Sequence, residues 1–139
     1  MLTNSSMAPS DGAITHPLIT PAQFMLAVRE AGNYADRDAY VSDIALSGIW
    51  GADDCGQTAA SPDTSVLLPL LFDLWDVIHM PFRDIRLALG MSCADFAAAF
   101  AIPRRTLYRW DLNETPCPLY TKLLLAHAAG LYDYPCIRR

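Results

Sequence analysis

An all-α fold is predicted by three features of the chain. Apolar residues recur at three- and four-residue spacing in several separate segments, polar capping residues stand ahead of some of them, and Gly or Pro marks their ends. The predicted order is a flexible tail over residues 1–18, an acidic helical extension over 19–64, a connecting buried helix over 65–80, a compact helical domain over 81–132 and a short tail over 133–139. Residues 1–18 are rich in Ser, Pro and other polar residues and lack an apolar face. A helix is expected from Thr20, where Thr20 and Gln23 form a capping-box pattern around Pro21, to Gly32, with Phe24, Ala27, Val28 and Ala31 inward. A second runs from about Asp36 to Ser47 and presents Tyr40, Ile44 and Ala45. The segment GADDCGQTAASPDTS from Gly51 is a loop by composition.

The long apolar helix from about Ser65 to His79 carries Leu67, Leu68, Leu70, Leu71, Leu74, Trp75 and Ile78. These cover more than a narrow stripe, so the helix is expected to be nearly enclosed, as a spine between the two halves or as a dimer seam. Pro69 is read as falling within the first turn, whose amides have no internal acceptor. After Pro81, the residues Phe82, Ile85 and Leu89 mark a helix ended by Gly90. Ser92 caps a short helix with Phe96, Ala97 and Phe100 on one face. Ala101 and Ile102 turn the chain, and Pro103 is placed at the first position of a helix reaching Trp110 with Thr106, Leu107 and Trp110 inward. A closing helix, Pro118 to Ala129, is expected to turn Leu119, Leu123, Leu124 and Ala128 inward, stopped by Gly130.

Two short helices joined by a tight turn, the second basic at its start, form an arrangement that lays a helix in the DNA major groove. In register, Gly90, Ser92, Ala97, Ile102, Thr106, Leu107, Arg109, Trp110 and Asp111 follow one pattern without a gap. On these residues the stretch from Phe82 to Tyr120 resembles the five-helix DNA-binding domain of the lambda-repressor-like (XRE/Cro-type) helix-turn-helix family. The resemblance implies a DNA-binding transcription regulator of repressor type, with double-stranded DNA as partner and a homodimer as the assembly. It implies base contacts from Arg104, Arg105 and Arg109, with Tyr108, Thr106, Ser92 and Cys93 as further contacts. A guanidinium matches the O6 and N7 acceptors of guanine, which points to a G-rich half-site. It also implies a structural pair between Arg86 and Asp111.

Departures from the pattern bear on affinity. Cys93 stands where the family has glutamine, Ala94, Ala98 and Ala99 replace charged or amide-bearing residues, and Ala101 and Asn113 replace glycines. Phosphate anchoring by this short helix is therefore thin.

The net charge of −5 conceals a division. Residues 1–80 hold ten acidic side chains against Arg29 and Arg37, giving −8, whereas residues 81–139 hold eight basic and five acidic ones, giving +3. The basic charge coincides with the motif, as phosphate binding requires. The acidic half is an ordinary solvated surface or a face for a protein partner. The latter defines two alternatives: an inhibitor of a host defence complex, of the anti-CRISPR type encoded by mobile elements, or an antitoxin-like partner binder. Cys55, Cys93, Cys117 and Cys136 show no metal-knuckle spacing, and free thiols in a reducing cytosol are expected. No secretory signal or bilayer-length apolar run is read, so a cytoplasmic location without membrane contact is expected.

An enzyme is not expected. Asp73, Asp76 and His79 share a helix face at metal-ligand spacing, but no second cluster completes a site, and they are read as a polar stripe. Asp53, Asp54 and Cys55 have no histidine near them in sequence, His16 lies in the tail and His127 in the closing helix. No cofactor or metal is assigned.

Overall fold

Thr20 opens the first helix by a reciprocal exchange of hydrogen bonds. Its hydroxyl accepts from the Gln23 amide at 3.1 Å while the Gln23 side-chain oxygen accepts from the Thr20 amide at 2.9 Å. Two amides that a helix start leaves without partners are thereby satisfied. The helix, α1 (Pro21–Ala31), buries Phe24, Ala27, Val28 and Ala31. Asp36 caps α2 (Arg37–Ala45), accepting from the Ala39 amide at 3.0 Å. A single 3₁₀ turn at Gly48–Trp50 follows. Beyond it come α3 (Thr64–His79), α4 (Phe82–Ala88), α5 (Cys93–Ala99), α6 (Arg104–Asp111) and α7 (Leu119–Ala128). This computed structural model describes residues 19–50 and 64–133, and every regular element among them is helical. The expected tails, the loop after Gly51, and with them His16, Asp53, Asp54, Cys55 and Cys136, lie outside the described residues.

The spine of the fold is α3, which packs against α1, α2 and α7. Leu67, Leu70, Leu71, Leu74 and Val77 are buried along it, each side chain contributing about 1.5–3 kcal/mol relative to exposure. Polar clasps hold the first two helices to this spine and to each other. Trp75 Nε1 donates to the Tyr34 carbonyl at 3.0 Å, His79 Nε2 to the Ala31 carbonyl at 2.8 Å, and the buried Tyr40 hydroxyl to the Ala27 carbonyl at 2.8 Å. Arg37 meets Asp76 at 2.8 Å and lies 4.4 Å from the centre of the Phe72 ring. Within the row of Asp73, Asp76 and His79, Asp76 is thus engaged by Arg37 and His79 by the Ala31 carbonyl. Asp73 stays half-buried, and its carboxyl is pushed above the usual range by burial first and by the charge of Asp76 second.

Several expectations change on detail. Pro69 is the sixth residue of α3, beyond the first-turn amides, so it sits inside the helix and forgoes an internal hydrogen bond. Its ring lies on the exposed side. In α2 the buried set is Tyr40, Val41 and Ile44, with Ala45 only half-buried. Pro103 is the cap before α6 and not its first residue, and its carbonyl accepts from the Leu107 amide at 3.1 Å.

The largest correction concerns α7. Leu119, Leu124 and Ala128 are exposed, while Leu123, Leu125 and Ala126 are buried. The inward row begins with a lysine: Lys122, Leu125, Ala126 and Ala129 are spaced as one helix face. Lys122 lays its stem across the interior and donates from Nζ to the Ile78 carbonyl at 3.0 Å, near the end of α3. A cation there offsets the negative end of the α3 dipole, and burial holds its pKa below the usual lysine value.

Helices α5, α6 and α7 share one ending. After α5, the amide of Ala101 reaches back to Ala98 and that of Ile102 to Ala97; after α6, Asn113 and Glu114 reach Trp110 and Arg109; after α7, Gly130 and Leu131 reach His127 and Ala126. This paired return requires a left-handed residue, which is Ala101 (φ 54°), Asn113 (φ 63°) and Gly130 (φ 77°) respectively. Alanine adopts that region at a cost of about 1–2 kcal/mol, part of which glycine would return as chain entropy. Ala101→Gly is therefore expected to raise stability by about 0.5–1 kcal/mol in urea denaturation. Gly90→Ala is expected to lower it by about 1 kcal/mol, because Gly90 holds φ 67° although nothing lies within 4 Å of an added Cβ.

Candidate functional site

Three aromatic rings hold α4, α5 and α6 together. Phe82 meets Phe96 edge-on with centroids 5.5 Å apart and Trp110 at 5.4 Å, geometries that add to the area buried. Leu107 and Phe96 are fully enclosed. With Leu107 and Trp110 inward, the opposite side of α6 has to face out.

That outer side carries Arg104, Arg105, Tyr108 and Arg109, all exposed. At about 100° per residue, Arg105 points most directly away from Leu107 and Trp110, Tyr108 and Arg109 flank it, and Arg104 lies at the margin. Thr106, at the other margin, is half-buried. None of the three arginines has an ion pair or side-chain hydrogen bond among the described residues. By contrast Arg37 and Arg86 are each engaged by a carboxylate.

Arg86 and Asp111 form a two-point contact. Nε donates to Oδ1 at 2.7 Å and Nη2 to Oδ2 at 3.3 Å, while Nη1 donates to the Met91 carbonyl at 2.7 Å. Both side chains are about nine-tenths buried (10% and 9% exposed). Because Asp111 is the last residue of α6, this pair ties the far end of the arginine-bearing helix to α4 and to the turn before α5.

Ser92 and Cys93 open α5. The Ser92 hydroxyl accepts from the Asp95 amide at 3.1 Å, which leaves its proton free to donate outward. Cys93 is half-buried and packs against the core. Burial and then the Asp111 carboxylate push its thiol pKa up, so it belongs to the surroundings of the Arg86 pair. Ala98 and Ala99 expose their methyl groups, and Ala94 is half-buried.

Arg83 was not legible as a site residue, since its position in the motif carries no signal. It is exposed on α4 and close enough to Cys93 for its charge to favour the thiolate. It therefore adds a cation near the start of α5, where the sequence offered only Ser92 and Cys93.

His127 approaches the Tyr132 carbonyl at 3.3 Å, and Cys93 and Cys117 are free thiols. Among the described residues, no group of three or more His, Cys, Asp or Glu side chains is placed to hold a metal ion, and no single helix is long and apolar enough to cross a membrane. No protein-family model, curated protein or solved structure matches the chain.

Proposed function

We propose that the chain is a sequence-specific DNA-binding regulator of repressor type, in which α4 to α7 form a lambda-repressor-like helix-turn-helix domain and α6 enters the major groove. The observation that carries this reading is the outer face of α6: three exposed arginines without partners, on a helix whose other face is locked by Leu107, Trp110 and the Asp111 pair. Free guanidinium groups neutralise phosphates and release counterions, and they also fit base edges. The short turn between α5 and α6 suits the docking geometry in which the first helix crosses the backbone and the second lies in the groove. Ser92 and Arg83 supply phosphate donors at the edge of that footprint. The acidic amino-terminal helices pack on α3, and no described residue covers the arginines. A dimer would then read half-sites about 34–36 Å apart.

The test is a footprint on a duplex selected from a random pool at fixed salt. Arg104→Ala together with Arg105→Ala is expected to abolish the footprint while leaving the unfolding midpoint nearly unchanged, since exposed residues without contacts usually alter stability by under about 0.5 kcal/mol. A footprint like that of the unaltered protein would refute the reading.

A protein target is the competing reading, favoured by the exposed methyl groups of Ala98 and Ala99 on α5. A stoichiometric protein partner retained at high salt, with no duplex retained at low salt, would decide for it.

A further inference from the structure

We infer that Arg105 and Arg109 read two guanines through the major groove and that Arg104 contacts the phosphate backbone. This rests on the reading of α6 as the groove-entering helix. It assigns the three arginines to unequal tasks, which their residue type alone does not.

The division follows from where the buried face of α6 lies. Leu107 and Trp110 are enclosed and Asp111 is pinned to Arg86, so the direction opposite them is fixed to within part of a turn. Arg105 projects along that direction. Arg109, four residues on, lies about 40° around the helix and about 6 Å further along its axis. Base pairs rise by about 3.4 Å, so two such side chains are spaced for guanines one or two steps apart, the remaining difference being within reach of a flexible stem. Arg104 lies about 100° from Arg105, at the edge of the exposed face, where the wall of the groove and not its floor would meet it.

The chemistry selects guanine over the other bases. A guanidinium presents parallel donors and no acceptor, and guanine alone offers two adjacent acceptors, O6 and N7, on its major-groove edge. Adenine pairs an acceptor with a donor there, which suits an amide side chain and opposes a guanidinium. Tyr108, between the Arg104 and Arg105 directions and exposed, offers a hydroxyl and a ring edge but no second forked donor. Nothing on the outer face of α6 is matched to adenine, because the face carries no Asn or Gln.

The experiment uses the full chain, and its first arm changes only the DNA, so that arm does not depend on the folding of a variant. A random duplex pool is selected at fixed salt, and the winning duplex is remade with 7-deazaguanine, which removes N7 while preserving pairing and every phosphate. The expected result is enrichment of two guanines within three consecutive positions of each half-site and at least a tenfold loss of affinity on 7-deaza substitution at those two positions. A second arm uses Arg104→Ala, expected to weaken binding alike for guanine-bearing and scrambled duplexes, and Arg109→Lys, expected to narrow the difference between them. Equal affinity for the 7-deaza duplex, or enriched sites without guanine, would overturn the assignment while DNA binding itself stands. No retention of any duplex at low salt would overturn the underlying reading together with it.

Discussion

Replacing Arg86 with alanine is expected to cost about 3–5 kcal/mol of folding stability, the characteristic penalty for removing one partner of a buried ion pair. Asp111 would be left about nine-tenths enclosed with no cation beside it, and the Met91 carbonyl would lose its donor. The pair itself contributes little net stabilisation, since desolvation offsets most of its attraction. Its effect is positional, because it fixes the end of α6 against α4. A double replacement, Arg86→Met with Asp111→Leu, should therefore lose much less than Arg86→Ala. Urea denaturation of the three proteins checks this. A single variant within about 1 kcal/mol of the unaltered chain would show that the contact is not buried as described.

Phe96→Ala should have an effect of the same size, about 3–5 kcal/mol. Phe96 is wholly enclosed, meets Phe82 edge-on and lies 4.6 Å from the Phe100 ring. It is the main anchor of α5, a helix of seven residues whose neighbours in sequence are mostly alanine. Such a helix has too few internal hydrogen bonds to stand alone. Its orientation relative to α6 comes from this ring, so the loss of stability should be accompanied by weaker duplex binding even where the folded population is restored by lower temperature. Against a total of about 5–15 kcal/mol for a typical domain, either substitution removes a large share. Denaturation midpoints with an unchanged urea slope would confirm a cavity effect in a fold otherwise retained.

The helix starts and stops were the most legible part of the chain, because they depend on local chemistry. Thr20 with Gln23, and Ser92 with the Asp95 amide, are recognisable within four residues. The glycines Gly90 and Gly130 hold the left-handed conformations their positions call for. What escaped depends on distant partners. The inward face of α7 begins with Lys122, which apolar spacing discounts, and its burial makes sense only beside the end of α3. Pro69 lies deeper in α3 than expected because the helix begins at Thr64, one residue ahead of the Ser65 that the sequence suggests. Val41 and Val77 complete buried faces whose other members the apolar spacing already accounts for. Arg86 and Asp111 are 25 positions apart, and nothing local connects them; only the resemblance paired them. The arginines of α6 were legible as exposed because Leu107 and Trp110 set the opposite face, whereas the nearness of Arg83 to Cys93 depends on the packing of α4 against α5.

The most direct measurement of the central claim is a titration of the isotopically labelled chain with duplex DNA at about 50 mM and about 200 mM salt, following backbone amides and arginine side-chain resonances. The expected result is that the Nε–H signals of Arg104, Arg105 and Arg109 and the amides of α6 move first and furthest, with affinity falling steeply at the higher salt. Movement confined to α1 and α2, or none at the lower salt, would contradict it.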